Sequence, residues 1–405
     1  MTVPIARLAI EGGVPVRSVM LPYGHQLVTD DDVAAVAGAL RSDWLTTGPL
    51  VARFEGDFAA FVGARHAVAV SSGTAALHAA AYAAGIGPGD EVIVPALTFV
   101  ASANCVRYLG GTVVFADVRP DTLTLDPLDV ARRITARTKA IVAVDFAGLP
   151  CELDDLLAMA SASGAVLIED AAHAVGATYR GRPVGSIAPL STFSLHPVKQ
   201  MTTGEGGVVT TASDAHAASM RRFRNHGIDL DARQRGDLGT WTYDVSDLGF
   251  NYRLTDVQSA LGSSQLRRIP QWSIRRQEIA ARYLAAFADL PSVELPATAG
   301  DRTSGWHLFV IRLRLERFTV DRAQVFRALR AENIGVNVHY VPVPWHSYYR
   351  QLGHRRGGWP VTEDAYERMI TLPLWAGMTD QDVADVINAV RKVVVAYSRD
   401  GAVAR

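Results

Sequence analysis

Lysine is scarce in this chain. Of its 40 basic residues only three are lysines, Lys139, Lys199 and Lys392, and the rest are arginine. Cysteine is scarcer still. Cys105 and Cys151 are too few for a disulfide framework and show no metal-ligand spacing, so no metal site is expected. No run of about 18 uncharged apolar residues occurs, which argues against a membrane span. The opening Met1-Thr-Val-Pro-Ile-Ala-Arg7 has no continuous apolar region and no cleavage signature. A reducing, cytoplasmic setting is therefore expected. Net charge is nearly absent too, at −1. No overall field favours nucleic acid or an anionic membrane, and pairs such as Arg275-Arg276 read as solvated helix faces.

What is present is an ordinary globular composition, 49% apolar and 20% charged over 405 residues, long enough for two domains. Residues 1–28 lack periodicity and read as an irregular arm. Thr29–Leu40 reads as a capped helix and Val51–Val62 as another. From about 67 to 212, short β-branched runs alternate with Ala-rich helical segments. Strands are expected at Ala67–Val70, Glu91–Val94, Thr112–Ala116, Ala140–Val144, Ala165–Ile168, Thr192–Leu195 and Gly207–Thr211. That alternation predicts an α/β fold with a mostly parallel sheet buried on both faces. Long helices follow at Leu254–Ile269 and Gln271–Leu290. Strands at His307–Leu315 and Val336–Val341, with helices at Val320–Glu332 and Asp380–Ala396, predict a smaller C-terminal α+β domain. The expected division is 1–28 arm, 29–270 large domain and 271–405 small domain.

Three segments carry chemistry. In Ser71-Ser-Gly-Thr-Ala75 a strand ends and a helix opens at Ser72, Gly73 and Thr74. Free N–H groups and the helix dipole suit a phosphate there, although a plain Ser/Thr cap is the commoner fate of such a sequence. The segment fits neither a P-loop nor a dinucleotide fingerprint. In Val166-Leu-Ile-Glu-Asp170 an apolar strand ends in two acids that must face opposite ways. Asp170 lies at the carboxyl end, where open sheets bind ligands, and could hold a ring nitrogen protonated. Glu169 reads as a structural group satisfied by backbone. In Ser194-Leu-His-Pro-Val-Lys199, followed by Thr202-Thr-Gly-Glu-Gly-Gly207, an arginine-rich chain has kept a lysine. A lysine amine, unlike a guanidinium, can lose its proton and attack a carbonyl. Lys139 reads as a solvated strand edge and Lys392 as a residue on a helix's polar face. A phosphate cup, an acid for a pyridine and a Schiff-base lysine are together the parts that pyridoxal phosphate (PLP) requires.

The motifs Ile168-Glu-Asp-Ala-Ala-His-Ala-Val-Gly176, Phe193-Ser-Leu-His-Pro-Val-Lys199, Thr203-Gly-Glu-Gly-Gly207 and Leu248-Gly-Phe-Asn-Tyr-Arg-Leu-Thr-Asp-Val-Gln258 resemble the DegT/DnrJ/EryC1/StrS family of sugar aminotransferases, from about Leu21 to Leu374. The resemblance implies a fold-type I PLP enzyme. It implies that Lys199 holds the cofactor covalently and shuttles a proton, and that Asp170 pairs with the ring nitrogen. Ser72, Gly73, Thr74 and Ser194 would bind the phosphate, Phe99 would stack on the ring, and His173 would sit near the phenolic oxygen. Asn251 would reach the phosphate from the partner subunit, which implies a homodimer with shared sites. Thr46, Thr47, His339 and Tyr340 are the implied substrate contacts, with loop and strand packing as the competing reading.

Leu21-Pro-Tyr-Gly24, Phe146-Ala-Gly-Leu-Pro-Cys151 and Asn337-Val-His-Tyr-Val-Pro342 are similar to the branch acting in pseudaminic acid synthesis. That implies L-glutamate as donor and C4 of a UDP-linked 4-keto-6-deoxy-N-acetylhexosamine as acceptor. Leu195, where an aromatic is common, and Val341–His346 depart from that pattern. A dTDP-linked keto-sugar or a cyclitol remains an alternative acceptor, and a non-catalytic nucleotide-sugar-binding protein an alternative role. The related sugar dehydratases replace the lysine by histidine, so the presence of Lys199 argues against them.

Overall fold

The computed structural model describes residues 7–399. Its centre is a seven-stranded sheet. The strands are β1 (His66–Val70), β2 (Glu91–Pro95), β3 (Thr112–Ala116), β4 (Thr138–Val144), β5 (Val166–Asp170), β8 (Leu190–Ser194) and β9 (Gly207–Thr211). Between the fifth and sixth of these lie two short strands, β6 (Thr178–Tyr179) and β7 (Arg182–Pro183). The order is β1-β9-β8-β5-β4-β2-β3, parallel from β8 to β3, with β9 antiparallel to both of its neighbours. The inner strands are apolar at successive positions because helices cover both faces. In β4, every residue from Ala140 to Val144 is buried.

Each of the seven expected strands forms, within two residues of its expected ends. Helix Asp30–Leu40 is closed by a capping box between Thr29 and Asp32. Helix Gly73–Ala83 is capped by Ser72, whose Oγ accepts the Ala75 N–H at 3.0 Å. Ser72 therefore caps the helix as an acceptor, which leaves its hydroxyl hydrogen and the Gly73 and Thr74 amides at the helix start.

A second sheet joins β10 (Val293–Glu294), β12 (Phe309–Leu313) and β13 (Met369–Leu372), all antiparallel. Short β11 (Arg302–Thr303) pairs with β6. Helix Ile269–Phe287 links the two cores. Ile269 and Trp272 pack beside the large sheet, while Ile279, Tyr283 and Phe287 pack beside the small one. The expected break at 270/271 thus falls inside one continuous helix.

Two expectations need correction, and a third, the arm, holds with an addition. Val336–Val341 is not a strand. It makes one bridge, Asn337 to Thr371, then turns His339 and Tyr340 toward the interior before Pro342, which has no N–H to donate. The arm is irregular but tied down: Leu8 and Leu21 enter the C-terminal core, and Arg17 bonds Asp382 and Asp385 at 2.8 and 2.6 Å. Residues 1–6 of the arm and 400–405 of the C-terminal part lie outside the described residues. Lys392 is not a free polar-face residue. Its Nζ donates to Val14 O and to the fully buried Glu332, which also accepts the Ala9 and Val16 N–H groups.

The roles of two lysines separate in a stability measurement. Lys392→Met leaves Glu332 buried without its cation and is expected to cost about 3 kcal/mol in denaturant unfolding. Lys139→Met, at the half-exposed start of β4, is expected to stay within about 0.5 kcal/mol of wild type. Equal effects would contradict this assignment.

Candidate active site

The carboxyl ends of β5 and β8 meet the loop after β2 and the start of helix Gly73–Ala83 around a cavity of about 450 Å³. Glycine makes the meeting possible. A Cβ on Gly73 would lie 2.8 Å from Ser194 Cβ and 2.9 Å from its Oγ. One on Gly207 would lie 2.3 Å from Ser72 O. Only bare backbone lets β8, β9 and the helix start converge, and the result is a helix N-terminus flanked by the side chains of Ser72, Thr74 and Ser194.

Asp170 sits on the cavity wall, 5% exposed. Its Oδ2 accepts from Ser102 Oγ at 2.7 Å and its Oδ1 from the Ala172 N–H at 3.2 Å. Thr98 Oγ1 lies 2.7 Å from Ser102 Oγ, and since Ser102 donates to the acid, Thr98 donates to Ser102. Burial pushes Asp170 above the usual carboxylate range, and the Ser102 hydroxyl and Ala172 amide pull it back. No cation bonds it directly. Glu169 points the other way, as strand alternation requires, and lies fully buried. Its Oε2 accepts from Ser191 Oγ at 2.6 Å, so a side chain contributes where backbone alone was expected, and its Oε1 is left without a partner.

Lys199 opens on the same cavity. The residue keeps partial exposure, but the protein surrounding its amine lowers the amine to about 8, against a raising pull from Asp170. Three histidines face it. His173 Nε2 lies 3.1 Å from Tyr340 Oη, its Nδ1 is buried without a partner, and its ring is 4.5 Å from that of His307. Burial, then Lys199, holds His173 and His307 well below the usual histidine range. His339, bonded to Thr371 Oγ1 at 2.9 Å, is lowered to about 4 by the same causes. All three are neutral at working pH. Phe99, 54% exposed, offers a ring to the opening, 5.8 Å from that of Tyr340.

Ten of the sequence-derived residues therefore line one cavity: Ser72, Gly73, Thr74, Phe99, Asp170, His173, Ser194, Lys199, His339 and Tyr340. Three do not. Thr46 and Thr47 are exposed at a second cleft, of about 700 Å³, with Arg224, Asn225 and Arg253. Asn251 is exposed and bridges Asn225, in a segment whose Tyr252 O accepts the Ser71 N–H at 2.8 Å. Among the other lining residues, Tyr23, Thr98, Ser102 and His307 escaped the sequence reading. The i, i+4 spacing of Thr98 and Ser102 beside Phe99 was a readable signal. His307 had none.

The donor set suits PLP. A buried acid lacking a cation matches a pyridinium, a Cβ-free helix start matches a phosphate, and a lysine of lowered basicity matches an aldehyde. Among the described residues, no cluster of three His, Cys, Asp or Glu side chains is placed to hold a metal.

Comparison with known proteins gives the same answer. The profile of the DegT/DnrJ/EryC1/StrS aminotransferase family matches residues 26–391. The spore coat polysaccharide biosynthesis protein SpsC of Bacillus subtilis is 43% identical over 381 residues, covering 93% of this chain and 98% of that protein. Helicobacter pylori PseC, an aminotransferase involved in the biosynthesis of pseudoaminic acid, superposes with a TM-score of 0.87 at 31% identity, covering 93% of this chain and 100% of PseC. A Streptococcus pneumoniae protein assigned as a sugar aminotransferase, Spr1654, superposes in its PLP form with a TM-score of 0.85 at 32% identity, covering 93% and 98% of the two chains.

The Lys199 environment has a pH signature. Competitive acetylation of the cofactor-free protein should titrate Lys199 with a midpoint near pH 8, rather than at the ordinary lysine value of about 10.4. Asp170→Asn removes the one group raising it, so that midpoint should move lower. An unshifted midpoint, or a rise in the variant, would contradict the geometry.

Proposed function

We infer the reaction from one premise: the chain belongs to the DegT/DnrJ/EryC1/StrS aminotransferase family. It is a PLP-dependent sugar aminotransferase of fold type I. The specific reaction we propose is amination of C4 of a UDP-linked 4-keto-6-deoxy-N-acetylhexosamine, with L-glutamate as donor. The observation that carries it is the pairing of Lys199 and Asp170 in one cavity beside the helix start, within a chain similar to PseC over nearly its whole length.

When bound, PLP supplies an electron sink that makes the donor's α-proton removable. Lys199 Nζ would hold the cofactor, and its amine would take the proton from the donor's Cα and return one to complete the transfer. A lysine lowered to about 8 is suited to both acts near neutral pH. Asp170 holds a proton at the ring nitrogen, steadied by Ser102 and the Ala172 amide. Ser72, Gly73, Thr74 and Ser194 bind the phosphate. Phe99 would cover the ring face, and neutral His173, whose Nδ1 is buried without a partner, would stand near the phenolic oxygen. His339 and Tyr340 close the acceptor side and exclude water.

The working unit we propose is a homodimer. Trp241 and Leu248, each 85% exposed, stand with Leu238 and Tyr243 in one segment next to Asn251. Such a patch calls for a cover. A second copy laid on it would carry Asn251 to the partner's phosphate and Thr46 and Thr47 to the partner's acceptor. In this arrangement the part before the linking helix Ile269–Phe287 forms the cofactor-binding unit, and the described residues after it form the smaller unit bearing His339 and Tyr340. Among the described residues no helix is long and apolar enough to cross a membrane.

The test is a donor and acceptor screen read by mass spectrometry. Glutamate with the UDP-linked ketone should give amino sugar and 2-oxoglutarate in equal amounts, and Lys199→Ala should abolish turnover with an unchanged circular dichroism spectrum. Turnover only on dTDP-linked ketones or free cyclitols would overturn the proposed acceptor, and full activity of Lys199→Ala would overturn the mechanism.

A further inference from the structure

A second pair of acids lies behind the site and takes no part in the chemistry above. Asp145 follows β4, and Glu169 precedes Asp170 on β5; both side chains are fully buried. The strand register sets Val144 opposite Asp170, so the chain leaves β4 beside the end of β5, and the Asp145 N–H donates to Asp170 O at 3.1 Å. Asp145 Oδ1 accepts the Cys151 N–H at 2.9 Å, and Glu169 Oε2 accepts from Ser191 Oγ at 2.6 Å. The remaining oxygens, Asp145 Oδ2 and Glu169 Oε1, are buried without a donor. Glu169 is paired with Ala143, two residues before Asp145, so strand alternation sets the two carboxyl groups on the same face of the sheet.

The groups that face the pair come from several elements. Cys151 faces it from the turn, Ser191 from β8, the Gly185 amide from the segment after β7, and Asp170 from the end of β5. None of these is a cation. Two bare carboxylates in such a place would combine desolvation with mutual repulsion, each costly in a low-dielectric interior. A single proton between Oδ2 and Oε1 removes the repulsion, leaves one buried charge instead of two, and gives both orphan oxygens a partner.

We propose that Asp145 and Glu169 share one proton, and that the resulting carboxyl–carboxylate bond ties the turn Asp145–Cys151 to the strand bearing Asp170. The tie has a reach. Ala147 O and Gly148 O of that turn accept the Leu308 and Gly305 N–H groups at 3.2 and 2.8 Å. A Cβ on Gly148 would lie 2.8 Å from both His173 O and Trp306 N. The turn is therefore the shelf that seats His307 against His173. Asp145 and Glu169 are positioning residues; they act through this shelf and not on substrate. Burial, then the charge of Glu169, pushes Asp145 well above the usual carboxylate range; burial pushes Glu169 above it as well, against lowering bonds from Ser191, the Gly185 amide and Asp145. The proton belongs to the pair rather than to one member. This inference holds whichever sugar the enzyme takes.

The sign of the pH effect follows from the raised values. The folded pair keeps a proton that the unfolded chain releases near the ordinary carboxylate value of about 4. Stability from the pair is thus complete below that value and is lost as pH rises toward the folded pKa. Asp145→Asn keeps the charge and the bond, since its amide donates to Glu169, but removes the ionisation. Infrared spectra of the whole protein at neutral pH should show a protonated-carboxyl band in wild type that Asp145→Asn and Glu169→Gln each abolish. The stability–pH slope of either variant should be shallower by about one proton. Asp145→Ala should shift the His173 and His307 ring resonances in NMR spectra, and Asp145→Asn should restore them. A wild-type band unchanged by both amide variants, parallel stability curves, or failure of both amide variants to fold would overturn the proposal.

Discussion

The structure turns on a buried carboxylate with no cation bonded to it. Asp170 is desolvated at a strand end and held by a hydroxyl and an amide. Those two donors steady its negative charge without neutralising it. Such a group is an incomplete ion pair, and an incomplete buried pair is costly unless something supplies the missing charge. A ring nitrogen that becomes cationic when protonated is the fitting counterpart. The nearest protein amine, Lys199, is kept poorly basic by its own burial, so it is free for covalent chemistry instead of serving as a permanent counterion.

The fold delivers this arrangement by bringing several strand ends to one place. Parallel strands β5 and β8 present Asp170 and Ser194 at the same edge, while antiparallel β9 returns the chain beside β1, where the helix start lies. Two glycines set the spacing. At Gly73 and Gly207 a methyl group would meet Ser194 and Ser72 inside contact distance, so the cup exists only because both positions lack a side chain. The neutral histidines on the other wall follow from the same burial. A charged imidazole beside Lys199 would add repulsion to desolvation.

Much of this was legible in sequence because the large sheet is buried on both faces. Continuous apolar runs such as Ala140–Val144 can be little else when Ala-rich helices flank them. The lone lysine after Pro197, and the acid closing Val166–Asp170, could be read from residue chemistry alone. The roles of Phe99, His173 and Asn251 came only through motif resemblance. What stayed hidden depended on distant contacts. Strands β6, β7, β10 and β11 span two residues each, too few to show a period. Val336–Val341 has the composition of a strand, yet it carries His339 and Tyr340 to the cavity instead of pairing. Lys392 looked solvated because Glu332 lies 60 residues away in sequence. The meeting of Asp145 with Glu169 likewise needed the β4–β5 register.

The central claim is a covalent link between one amine and one aldehyde, and it can be read directly. Purified protein incubated with PLP should show a visible band that borohydride removes, and peptide mapping should then place a phosphopyridoxyl group on Lys199. No band after incubation with excess cofactor, or a label on Lys139 or Lys392 in its place, would contradict the account.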